Sequence, residues 1–178
     1  MRALLAALVL LAAAPALAQA APAGGKSDGT VMRRTTLLVH DIDRSARFYE
    51  ILGFAKWYVG KPGTVREGGL PVKGVKVGDP SRFIIMKGKD PYLGMIGLLQ
   101  YGPKRKPAKF ALRVGDPVLM IEIAGMDRVA ATLAAEGFAI HKAPETTRVE
   151  SVGSAWDAKF MFAIDPDGHM LELTERLN

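Results

Sequence analysis

Hydrophobic and polar positions follow two different periods along this chain, and each change of period marks an element. Arg33 to His40 is rich in extended-chain formers and predicts a strand. Asp41 stands where a helix cap is plausible. The helix itself is predicted over Asp43 to Leu52, with Ile42, Ala46 and Tyr49 on one stripe and Gly53 as its stop. Phe54 to Val59 returns to strand, with Trp57 and Tyr58 on opposite faces, one entering a core or cavity and the other facing outward. Near the C-terminus, Phe160 to Ile164 and Met170 to Thr174 flank Asp165-Pro166-Asp167-Gly168, which reads as strand, tight turn, strand. Glu172 breaks that last apolar run. In an extended chain it points away from Leu171 and Leu173, into solvent or into a cavity.

The same pattern occurs twice. Moving 84 positions along, Met126, Ala130 and Leu133 fall where Ile42, Ala46 and Tyr49 stand, Asp127-Arg128 matches Asp43-Arg44, and Gly137-Phe138 matches Gly53-Phe54. Beyond that the offset becomes 75, where Asp90-Pro91 matches Asp165-Pro166 and Ile96-Gly97-Leu98 matches Leu171-Glu172-Leu173. The first copy is therefore nine residues longer, and the Gly- and Pro-punctuated stretch 60–80 is the natural place for the excess. Each copy reads strand, helix, strand, strand, strand. One such unit leaves a sheet face uncovered, so two copies are expected to pair into a curved sheet with a cradle between them, an α+β architecture.

Composition changes this picture at the N-terminus. Met1-Arg2 is followed by an unbroken apolar run from Ala3 to Ala14, and small residues at Ala16, Ala18 and Ala20 fit a cleavage site. Residues 1–20 are expected to be a secretory signal and 21–32 a flexible lead-in, which predicts a periplasmic or secreted protein. Pro15 breaks the run before it reaches the roughly 20 residues of a membrane span, so no stable membrane insertion is expected after cleavage. The chain has no cysteine, which excludes disulfides and thiolate metal sites. Its formal charge is +6, and removing residues 1–20 takes one basic residue and no acid, leaving +5. The densest basic stretch, Lys104-Arg105-Lys106 with Lys109 and Arg113, has little aromatic interleaving, so it is expected to be a solvated linker (103–114) rather than a nucleic-acid site.

Thr35 to Tyr49, followed by Leu52-Gly53-Phe54, resembles the opening module of the vicinal-oxygen-chelate superfamily, which includes glyoxalase I, bleomycin-resistance proteins and extradiol dioxygenases. Phe162 to Leu173 resembles that superfamily's closing hairpin. The resemblance implies one domain, 33–178, made of modules 33–102 and 115–178. It is specific for the fold, which hosts isomerases, lyases, dioxygenases and metal-free binders. Metal-dependent members carry ligands at the first and last strands of each module, and the resemblance places those positions at Arg34, Gly97, Val118 and Glu172. Only Glu172 is a competent ligand among these four, so no cofactor is predicted, and a divalent metal belongs to the alternative reading. Arg34 is expected near Glu172 across the cradle, as an ion pair in place of the metal.

The resemblance thus implies a small-molecule binder like the bleomycin-resistance proteins. The alternative is a glyoxalase- or dioxygenase-type lyase, isomerase or oxygenase. Arg34, Thr36, Trp57, Gln100 and Glu172 are the candidate ligand-binding residues, and Glu172 is also the candidate catalytic group. His40, His141 and His169 are too far apart in sequence for a local metal pair. Trp156 is placed to cover the mouth of the second module. Exposed edge strands leave room for a homodimer. No nucleophile elbow, zinc-protease motif or phosphate loop is present.

Overall fold

The computed structural model describes residues 29–90, 92–106 and 112–178. The expected signal, most of the expected lead-in, Pro91 and residues 107–111 of the expected linker, with Lys109, lie outside them. Among the described residues, all regular elements fall within residues 32–178, which form one unit. In chain order they are β1 (Arg34–Val39), α1 (Ile42–Ile51), β2 (Ala55–Val59), β3 (Gly63–Thr64), β4 (Pro80–Lys87) and β5 (Met95–Tyr101), followed by β6 (Val118–Glu122), α2 (Met126–Ala135), β7 (Ala139–Ser151), β8 (Ser154–Ile164) and β9 (Met170–Arg176).

Both repeat registers hold. The starts of β1 and β6, of α1 and α2, and of β2 and β7 are each 84 positions apart, and β5 and β9 are 75 apart at both ends. Each module keeps its own hydrogen-bonded sheet, ordered β1-β5-β4-β2 with β3 on β4, and β6-β9-β8-β7. In each, the first strand runs parallel to the last and the remaining pairs are antiparallel. The extra residues of the first module do lie between β2 and β4, where β3 folds back on β4.

The two helices and one face of each sheet share a single core. Leu37, Val39, Ile84, Ile96 and Leu98 join Met161, Ala163, Leu171 and Leu173 around Ile42, Phe48, Met126 and Leu133. The modules meet through side chains as well: the Phe48 and Phe138 rings pack edge-on at 5.3 Å, and the Arg44 guanidinium lies 3.7 Å above Phe138. Among the described residues no helix covers the second face of either sheet. On β1 and β6 that face presents Arg34, Thr36 and Leu38, and Val118, Met120 and Glu122, all exposed. Period-2 alternation in these strands thus separates a core face from a free face.

Trp57 and Tyr58 depart from expectation. Neither enters the core, and each is 49% exposed. β2 is an edge strand with a register shift between Lys56 and Tyr58, and a bulge there disrupts the alternation that the sequence implied. Trp156 lies in the β7–β8 hairpin opposite Val149, with the Arg176 guanidinium 5.1 Å from its ring centre.

Candidate functional site

The two free faces carry most of the residues singled out from the sequence. Thr36 pairs in register with Gly97, so the two share a face, and Arg34 lies two residues before Thr36 on the same strand. The Arg34 side chain turns across the sheet and places its guanidinium 5.0 Å from the Phe83 ring centre. Gly97 makes room for this. A Cβ at that position would sit 2.8 Å from Thr36 Oγ1, 3.0 Å from Arg34 Cδ and 3.2 Å from Arg34 Nε. Glu172 occupies the equivalent position of the second module, in register with Met120 and Phe162 on the face away from Leu171 and Leu173. It is half-buried, and among the described residues its carboxylate has no partner. Thr174, two residues further along the same face, is buried with its hydroxyl unpartnered among the described residues.

The expected Arg34–Glu172 ion pair is not formed. Arg34 spends its charge on the Phe83 ring of its own sheet, whereas Glu172 projects from the other sheet. The four metal positions implied by family resemblance do not fit a resident divalent cation. Position 97 has no side chain and its space is filled, position 34 is a fixed cation, and position 118 is apolar. Among the described residues no group of three or more His, Asp or Glu side chains converges as a metal site. Trp57 stands on the edge strand rather than beside Arg34 in register.

Gln100 is not on the free face. It pairs with Val39, a core-facing residue, and its Oε1 accepts the Ile42 N–H at 3.2 Å, completing the N-terminus of α1. The second module repeats the device: Glu175, 75 positions on, accepts the N–H groups of Gly125 at 2.6 Å and Met126 at 3.0 Å at the start of α2. Gln100, a candidate ligand-binding residue, thus caps α1 from the core side. The repeat register held the signal, since it aligns Gln100 with Glu175 in front of two equivalent helices. In the first module Asp41 adds a side-chain cap to the Arg44 N–H, at 3.4 Å.

Two of the three histidines meet the turn of the second module. His40 donates its backbone N–H to Asp167 Oδ1 at 2.6 Å, and its ring Nδ1 lies 2.8 Å from the same oxygen. Ser45 Oγ donates to Asp167 Oδ2 at 2.7 Å. Asp165 accepts from the Asp167 and His169 N–H groups, from the Tyr49 hydroxyl at 3.2 Å and from the His169 ring at 2.9 Å. Burial opposes protonation of His169, but the Asp165 carboxylate outweighs it and holds the imidazole above its ordinary pKa. Burial, reinforced by Asp165, raises the Tyr49 phenol well above its usual range. These groups bind the turn to α1. Beside them, a cavity of about 440 Å³ opens between the start of α1, residues 104–106 and the second module.

The chain matches no protein-family model and no curated protein. Solved structures do resemble it. A glyoxalase family protein from Bacillus cereus is 17% identical with a TM-score of 0.57, the alignment covering 88% of this chain and all of the other. A glyoxylase/bleomycin resistance protein/dioxygenase domain from Frankia sp. EAN1pec is 19% identical with a TM-score of 0.51, covering 85% and 99%. With its paired βαβββ modules, the chain has the vicinal-oxygen-chelate fold of the glyoxalase/bleomycin resistance/dioxygenase superfamily. At these identities the likeness carries the fold and leaves the chemistry to the site.

Proposed function

We propose that the protein is an exported small-molecule binder that works without a resident metal, in the manner of the bleomycin-resistance proteins. The observation behind this reading is that the free faces set polar groups beside apolar ones: the Glu172 carboxylate, without a partner among the described residues, near Met120 and Phe162, and the Arg34 guanidinium over Phe83. Such a surface suits a ligand with an apolar body, an acceptor for Arg34 and a donor for Glu172. Residues 1–20 direct export in this reading, with release of a chain beginning at Gln19 or Ala21.

The test titrates metal-free bleomycin into the purified mature protein and follows Trp fluorescence. Saturable binding weakened by Arg34→Ala and by Glu172→Gln supports the reading. Zinc, nickel, iron or manganese retained stoichiometrically through dialysis overturns its metal-independent part. The second reading, an enzyme with Glu172 as general base, rests on that carboxylate lacking a partner. Turnover of a thiol adduct of an α-ketoaldehyde, or of a catechol, that disappears in Glu172→Gln would establish the enzyme instead.

A further inference from the structure

The cavity beside α1 is separate from the surface just described, since neither Arg34, Thr36, Phe83 nor Glu172 lines it. Its wall is built from both modules and from the segment that follows β5. Phe138, Ile164 and Pro166 give it an apolar side, and Arg44, Arg105 and Lys106 give it a cationic one. We infer that this cavity is a binding site for a small organic phosphate monoester.

The inference rests on the balance of donors and acceptors. Three carboxylates also line the cavity, but protein donors already hold them. Asp41 takes the Lys104 ammonium and the Arg44 N–H, Asp167 takes His40 and Ser45, and Asp165 takes Tyr49, His169 and two backbone N–H groups. The Lys104 ammonium and the Arg44 amide outweigh burial and keep the Asp41 carboxyl below its ordinary pKa, so it stays an acceptor already filled. The cations are less committed. Among the described residues Lys106 has no partner, Arg105 gives one nitrogen to the Gly74 carbonyl at 2.8 Å, and Arg44 gives one to the Glu136 carbonyl at 2.6 Å. What remains, among the described residues, is a set of N–H donors on Arg44, Arg105 and Lys106 without a protein acceptor, the complement of an oxyanion carrying several acceptor oxygens. Those same backbone contacts hold both guanidinium groups in place, which lowers the ordering cost of binding. A volume of about 440 Å³ exceeds what a bare phosphate needs, and the Ile164 and Pro166 side offers contact to an apolar ester group.

The test is calorimetric titration of the mature protein with phenyl phosphate, alongside phenol and inorganic phosphate. Saturable 1:1 binding of phenyl phosphate, weaker binding of inorganic phosphate and none of phenol are expected. Lys106→Glu, which disturbs no partner among the described residues, should weaken phenyl phosphate at least about tenfold. Arg105→Gln should weaken it in the same direction, and Arg34→Ala should leave it unchanged. Affinity within twofold of the parent in Lys106→Glu overturns the inference. So does phenol binding as well as phenyl phosphate, inorganic phosphate binding equally tightly, or loss of binding in Arg34→Ala, which would put the probe on the free face.

Discussion

The hairpin turns of the two modules occupy the same place in the repeat and lead different lives. In the first, Asp90 caps its own turn, accepting the Tyr92 and Leu93 N–H groups at the surface. In the second, Asp165 is 3% exposed and gathers four donors from its own turn and from α1. The difference follows from what faces each turn. Tyr49, Ser45 and His40 of the first module reach the second turn, whereas the equivalent positions 133, 129 and 124 are Leu, Val and Ala. A duplicated frame therefore carries a one-sided polar joint. Polar groups at such a joint cost desolvation unless every one is satisfied, and here each carboxylate oxygen of Asp165 and Asp167 is.

The largest test of this asymmetry is to remove each aspartate in turn. Asp165→Ala strands the buried Tyr49 hydroxyl and the His169 ring, and is expected to cost about 3–5 kcal/mol in urea unfolding. Asp90→Ala should cost far less, because water replaces the exposed carboxylate. Equal losses would mean that the joint adds nothing to a simple turn.

A second contrast sets Gly97 against Glu172, its counterpart 75 positions on. Gly97→Ala pushes a methyl group into Thr36 and the Arg34 stem and should cost about 1–3 kcal/mol. Glu172→Ala should lie within about 0.5 kcal/mol of the parent, since among the described residues its carboxylate has no partner to lose. A large loss at Glu172 would reveal a structural duty and weaken its place in the proposed ligand surface.

Comparing the helix caps predicts smaller effects. Glu175 is charged and accepts two N–H groups, while Gln100 is neutral and accepts one. Glu175→Ala is expected to cost about 1–2 kcal/mol and Gln100→Ala about 1 kcal/mol or less, measured by thermal and denaturant unfolding. The reverse order would show that Gln100 has a further role.

The smallest effect is a pH dependence confined to the second module's turn. His169 has a folded pKa raised above 6.5, mainly because burial is outweighed by Asp165. Its charged form therefore stabilises the fold fully below the unfolded pKa, and that contribution is lost as pH rises through the higher folded value. Stability of the parent should fall modestly as pH rises from about 6 through that range. His169→Gln should flatten this slope, and an unchanged slope would assign the titration elsewhere.

Much of this was legible in the chain. The helix stripe Ile42, Ala46 and Tyr49, the stop at Gly53 and the two offsets of 84 and 75 depend only on local periodicity and turn chemistry, which neighbouring residues set. Glu172 was placed on the correct side of β9 by alternation alone. The edge bulge at Trp57 was not legible, because a one-residue slip in pairing belongs to two strands rather than one.

The sequence by itself determined the repeat, the order of elements and which side chains share a strand face, since these follow from spacings of two and 3.6 residues. Only the tertiary structure decided the partners. It sent Arg34 to Phe83 instead of Glu172, used Gln100 to cap α1, and gathered His40, Ser45 and Tyr49 on a turn more than 110 residues away. The physical reason is that a side chain's partner is chosen by the packing of distant elements and by the cost of leaving a buried polar group unmatched, neither of which a local pattern encodes.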